Sequence, residues 1–210
     1  MKLKYCGFRT LEDVKKAKDL NIDAMGFIHY PKSKRYVDIP TIKHLTDIIP
    51  NDKEKVIIVV NPEYHTLIQL IEQTTLTTIQ FHGSETLELI HAIKLYKPTI
   101  KVIKSLPATD YETLVKQIKY YQDSVDQFIF DTPSSSYGGT GQTYDWEQLR
   151  TIQHIDYLIA GGINYEHIKT IEALDLAHSG YDIASGIETN NEKDSTKMQL
   201  IVEHVKGENK

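Results

Sequence analysis

The sequence predicts an α/β fold: a single (β/α)8 TIM barrel of eight parallel strands, one domain over residues 1–210. Three observations predict it. Strand-like and helix-like runs alternate from one end of the chain to the other. Glycine-rich turns come late, after the sixth, seventh and eighth strand-like runs. A barrel gathers phosphate there, whereas an open doubly wound sheet places its phosphate glycines after the first strand. Finally, no linker, low-complexity stretch or repeat breaks the alternation over 210 residues, a length at the compact end for such a barrel.

Short runs rich in Val, Ile, Phe and Tyr predict strands over 3–5, 24–28, 55–60, 78–81, 101–105, 127–130, 157–160 and 181–184. Between them, apolar residues three and four apart predict helices. Leu11, Val14 and Ala17 open the first; Leu67, Ile68 and Ile71 mark another. Leu87, Ile90 and Ile93 mark a third, and Leu114, Val115 and Ile118 a fourth. Thr10 before Asp13, and Ser84 before Leu87 and Glu88, read as helix starts. A final helix is expected over 195–205.

Composition narrows the class. A hydrophobic share of 40% with 25% charged residues suits a soluble globular chain, and the net charge of −5 with scattered Lys and Arg argues against a nucleic-acid surface. The apolar run 56–60 is far too short to cross a membrane, and the opening MKLKYCGFRT shows no signal-peptide apolar region. One cysteine makes neither an internal disulfide nor a cysteine zinc cluster, so a reduced, cytoplasmic setting is expected. The histidines have no ligand-like spacing, and no metal site is expected.

Three late segments supply the anion-binding end: Gly138-Gly139-Thr140-Gly141, Ala160-Gly161-Gly162-Ile163 and Ala184-Ser185-Gly186-Ile187. Glycine lets main-chain N–H groups approach an anion closely, and a helix N-terminus adds partial positive charge. Gly139, Gly141, Gly161, Gly162, Ser185 and Gly186 are therefore the candidate phosphate ligands, and no lysine is needed among them. Singly, such glycines also serve merely to close tight turns; it is their shared position at one end of a barrel that favours a ligand.

Alternation along strands sets the chemistry. If Cys6 faces into the barrel, so do Lys4 and Lys2, while Leu3 and Tyr5 face the helices. If Asp131 faces inward, so does Ile129, and Phe128 and Phe130 cover the outside. Cys6 then stands at the rim of strand one and Asp131 at the rim of strand six, across the mouth from each other. A thiol of ordinary pKa about 8.5 becomes a base when a cation such as Lys4 stabilises its thiolate. A carboxyl group in a partly desolvated mouth can serve as an acid. Asp182, on strand eight beside strand one, is expected to face inward and meet Lys4. His82, at the end of strand four, either lines the mouth or caps the helix start at Ser84. Asp145 reads as a helix cap. Set against these readings, a lone Cys is commonly a buried small hydrophobe, and an Asp before Thr-Pro is commonly a turn former.

The motifs KYCG (4–7), LED (11–13), GFIHYPKSKRYV (26–37), VNP (60–62), QFHG (80–83), DTP and GGTGQTYDW within 131–146, AGGIN (160–164) and SGIE (185–188) together resemble the phosphoribosylanthranilate isomerases. The match spans nearly the whole chain. It departs at Gln142, where the family commonly has lysine, at Tyr165, which replaces a usual proline, and at Asn190-Asn191, which replaces a Pro-Gly-like turn. The resemblance implies an Amadori rearrangement without metal or organic cofactor. It implies Asp131 as general acid, Cys6 as general base, and Arg35 as ligand of the anthranilate carboxylate, a task its planar fork suits. The expected partner is a small sugar-phosphate substrate, with no nucleic acid or membrane; polar helix faces favour a monomer over a dimer. Competing readings are an indole-glycerol-phosphate synthase, a ribulose-phosphate epimerase, and a non-catalytic sugar-phosphate binder that would not need Cys6 opposite Asp131.

Overall fold

The computed structural model describes residues 1–131 and 145–207. Eight parallel strands close into a barrel in chain order: β1 Lys2–Cys6, β2 Ala24–Ile28, β3 Glu54–Val59, β4 Thr78–Phe81, β5 Lys101–Pro107, β6 Gln127–Asp131, β7 Tyr157–Ile159 and β8 Gly180–Ile183. Closure is made by β1 pairing with β8, where Lys4 stands opposite Asp182. All eight expected strands form, with ends differing by one or two residues. Outside lie α1 Leu11–Ala17, α2 Ile39–Asp47, α3 Tyr64–Gln73, α4 Leu87–Tyr96, α5 Tyr111–Tyr121, α6 Tyr165–Glu172 and α7 Ser195–Lys206.

Helix starts follow capping chemistry. Side chains of Thr10, Asp38, Thr86, Asp110, Asn164 and Asp194 each accept from a main-chain N–H in the following turn. The expected start at Ser84 is therefore displaced to Thr86. The cause is Glu85, whose carboxylate accepts from the amides of Asn61 and Gly83 and holds residues 83–85 as a turn. Helices α2 and α6, not singled out by the sequence pattern, complete the outer layer. After Asp145, which caps it as expected, the chain makes only a short 3-10 turn, Trp146–Leu149, before β7. A small antiparallel hairpin, β9 Glu188–Thr189 with β10 Glu192–Lys193, precedes α7. Its two turn residues, Asn190 and Asn191, have φ of 53° and 64°, the left-handed conformation that a two-residue hairpin needs and that asparagine tolerates.

Alternation separates two cores, as β strands with helices outside require. Cys6, Ala24, Val56, Ile58, Ile103, Ile129, Leu158 and Ala160 fill the barrel interior. Leu3, Tyr5, Phe27, Phe128, Phe130, Tyr157 and Ile183 pack between barrel and helices. Each fully buried aliphatic or Phe side chain contributes about 1.5–3 kcal/mol, so this outer layer dominates stability. Tyr5 adds a hydrogen bond from its hydroxyl to Met198 O at 2.7 Å, tying β1 to α7. Among the described residues no helix is long and apolar enough to cross a membrane.

Candidate active site

The C-terminal ends of the strands surround an open cleft of about 700 Å³. Cys6, Arg35, His82, Asp131, Gly161, Gly162, Asp182 and Ser185 all line it, so residues from six strand ends converge there. Gly139 and Gly141 lie outside the described residues. Gly186 sits just behind the wall: a Cβ on it would fall 1.9 Å from Ile163 O, so only glycine lets the turn after β8 rest on the turn after β7. Gly161 and Gly162 have φ of 88° and 68°, the left-handed region that glycine enters at no steric cost. Both turns border the cleft, and α6 begins directly after the first of them.

Lys4 and Asp182 face inward and meet below the thiol, Nζ to Oδ1 at 2.7 Å, both almost fully buried. Burial works against the Lys4 ammonium, but Asp182 and Cys6 outweigh it and hold its pKa above the ordinary value. For Cys6, burial dominates and pushes the thiol up; the charges of Lys4 and Lys193 oppose that rise without cancelling it. The expected thiolate-stabilising cation is thus in place, yet the free site still favours the thiol.

Gly26, paired with Cys6 across β1 and β2, makes room for this arrangement. A Cβ there would lie 2.9 Å from Cys6 Sγ, 3.1 Å from Ile58 Cδ1 and 3.2 Å from Lys4 Nζ. Gly26→Ala should therefore destabilise the chain by about 1–3 kcal/mol, as overpacking does, and reduce turnover by displacing the sulfur. Thermal melts with steady-state kinetics check this; unchanged kcat would show that the thiol does not feel this neighbour.

Across the cleft, His82 Nε2 stands 3.3 Å from Asp131 Oδ2. His82 therefore lines the mouth, and the helix cap falls to Thr86. Deeper, the buried Gln80 donates to Ser105 Oγ at 2.8 Å.

Arg35 is buried in the loop after β2, and its fork is already engaged. Nε donates to Glu188 Oε1 at 2.9 Å and Nη2 to Oε2 at 2.6 Å. Lys193, also buried, donates to the same carboxylate at 2.8 Å and to Cys6 O at 2.6 Å. Burial would raise the Glu188 carboxyl, but Arg35 and Lys193 bring it down to about 2. The sequence pattern marks Glu188 only as the last residue of SGIE and gives no mark to Lys193. The two-residue spacing of their strands and the Asn-Asn turn between them were the available signal.

Among the described residues no group of three metal-ligating side chains occurs. Glycine turns at the ends of β7 and β8, and a thiol and a carboxyl group on strands three apart around the ring, line one cleft at the C-terminal end of a closed (β/α)8 barrel, the class of protein this fold and site define. The family model for N-(5′-phosphoribosyl)anthranilate (PRA) isomerase matches residues 3–204. The chain belongs to this family. An N-(5′-phosphoribosyl)anthranilate isomerase of Staphylococcus epidermidis is 49% identical over 208 residues, covering 99% of this chain and 100% of that one. One from Staphylococcus aureus is 51% identical over 208 residues, covering 99% and 98%. The phosphoribosyl anthranilate isomerase structure from Thermotoga maritima superposes with a TM-score of 0.87 at 27% identity, covering 99% of each chain. A phosphoribosyl anthranilate isomerase in complex with reduced 1-(o-carboxyphenylamino)-1-deoxyribulose 5-phosphate superposes with a TM-score of 0.83 at 25% identity, again covering 99% of each.

Proposed function

We propose that the chain isomerises N-(5′-phosphoribosyl)anthranilate to 1-(2-carboxyphenylamino)-1-deoxyribulose 5-phosphate in tryptophan biosynthesis, with Asp131 as general acid and Cys6 as general base. The observation that carries this reading is that both groups line one cleft, on opposite walls, beside the glycine turns of β7 and β8. Main-chain amides of Gly161, Gly162, Ser185 and Gly186 hold the phosphate, and Arg35 takes the ring carboxylate. Gly139 and Gly141 belong to the same proposed cradle.

The chemistry then runs in three steps. Asp131 gives its proton to the furanose ring oxygen; the C1′–O bond breaks and the amine nitrogen lone pair forms a Schiff base. The Cys6 thiolate removes the C2′ proton, and the C–H electrons move toward the nitrogen to give an enolamine. Tautomerisation places the carbonyl at C2′. Lys4 supports the thiolate from below, fixed by Asp182. His82 stands beside Asp131 as a neighbouring donor or acceptor. The proton moves entirely within substrate and side chains, so the reading calls for no cofactor.

Asp131→Asn should lower kcat about 10²–10³-fold and leave binding of a reduced product analogue within a few fold, because an amide keeps the shape but has no proton to give. Fluorescence-monitored consumption of phosphoribosylanthranilate measures it; unchanged turnover in this variant would remove Asp131 from the mechanism. The proposal also takes the chain as cytoplasmic, supported by its one cysteine, which is free, and as a monomer. Sedimentation equilibrium tests the second point.

A further inference from the structure

We propose that Glu188 and Lys193, on the β9–β10 hairpin, are positioning residues that aim Arg35 and so set the selectivity of the site for a ring carboxylate. This rests on the assignment of Arg35 to that carboxylate. Glu188 takes the side of the guanidinium fork, Nε and Nη2, at 2.9 and 2.6 Å. That geometry turns the end of the fork, carrying Nη1, away from Glu188, and Arg35 lines the cleft. An arginine so held offers a second planar edge to a carboxylate.

The hold is built on three sides. The stem of Arg35 lies on Gly7, whose φ is 80° and where a Cβ would stand 2.6 Å from Arg35 Cδ. Glu188 fixes the head. Lys193 fixes Glu188 and at the same time donates to Cys6 O at 2.6 Å and Ala184 O at 3.3 Å. The main-chain amide of Lys193 in turn donates to Asp13 Oδ1 at 3.0 Å, which anchors the hairpin to α1. Two cations around one carboxylate leave a net positive charge at the wall, where an anionic ring substituent is attracted. The arginine is locked before the ligand arrives, so ordering it is not charged against binding. The same lysine joins the carboxylate-reading wall to the strand end that carries the thiol.

Binding of two stable probes tests this by calorimetry: reduced 1-(o-carboxyphenylamino)-1-deoxyribulose 5-phosphate, and the same compound with an unsubstituted phenyl ring. In Glu188→Gln the carboxylated probe should weaken about tenfold and the phenyl probe by less than twofold, because only a carboxylate senses the aim of the fork. Glu188→Asp, which keeps the charge, should recover part of the loss. Equal weakening of both probes, or none, overturns the proposal by making Glu188 merely structural. Arg35→Lys separates the two assignments. If it leaves the preference between probes unchanged, Arg35 does not read the carboxylate and the proposal falls with it. If it abolishes the preference while Glu188→Gln preserves it, the Arg35 assignment stands and the role of Glu188 alone fails. Should Glu188→Gln not fold, Lys193→Met carries the same comparison with the same deciding outcomes.

Discussion

Cys6→Ala is expected to lower kcat by as much as about 10⁴-fold, at the upper end for loss of a general base, while a reduced product analogue still binds. The effect exceeds that at Asp131 for a chemical reason. Protonation of a ring oxygen can be taken over in part by a neighbour such as His82 or by solvent, but abstraction of a carbon-bound proton needs a base at one position. The wild-type pH profile carries a second expectation. The base must be deprotonated, and burial raises the Cys6 thiol above its ordinary value. The rising limb of kcat/KM, which reports the free chain, should therefore lie to the alkaline side of an ordinary thiol at about 8.5. Lys4→Met removes the cation that opposes this rise and should move the limb further alkaline. A limb unmoved by Lys4→Met would separate that lysine from the thiol; wild-type turnover in Cys6→Ala would end the mechanism.

Lys104→Met is expected to destabilise the chain by about 3–5 kcal/mol, as loss of one partner from a buried ion pair does. Lys104 lies on β5 but points outward, beneath the helices. Its ammonium donates to Glu85 Oε2 at 3.0 Å, Gly83 O at 2.7 Å and Phe81 O at 3.2 Å. Both side chains are essentially sealed from solvent. Glu85 keeps two amide donors, from Asn61 and Gly83, and Tyr121 donates to its main-chain oxygen at 2.7 Å. Those donors were placed for a carboxylate, so removing the lysine strands a charge rather than a neutral group. For a chain of this size the midpoint of thermal unfolding should drop by about 6–20 °C. The double variant Lys104→Met, Glu85→Gln should recover part of that loss. Calorimetry decides, and a drop below about 1 kcal/mol would refute the view that this pair is structurally coupled. The network also fixes residues 81–85 around His82, so kcat should fall in the folded variant as well.

The sequence disclosed what depends on local periodicity. Period-two alternation sufficed to put Lys4, Cys6, Ile129 and Asp131 inside, and barrel closure then sufficed to bring Asp182 to Lys4, because strand order alone makes β8 the neighbour of β1. The glycine turns were legible for the same reason: their place in the chain is their place on the barrel. Contacts that cross between distant elements were not legible. Lys104 in a strand gives no sign that its partner is Glu85, 19 residues away, whose bonds to the amides of Asn61 and Gly83 place the α4 cap at Thr86 rather than Ser84. Arg35 was recognisable within its motif, but its engagement by Glu188, 153 residues further on, needs the whole barrel to exist. Gly26 stands in an ordinary strand pattern, and only the packing brings the sulfur of Cys6 against it.

The seam between β1 and β8 imposes an order on birth as well as on shape. The strand bearing the thiol is made long before its partners: Asp182 for Lys4, Lys193 for the Cys6 carbonyl and Met198 for Tyr5 lie 178, 187 and 193 residues further along the chain. A nascent chain must therefore carry an unpaired strand edge and a lysine without its carboxylate until those residues are made, a condition that invites chaperones and punishes stalled synthesis.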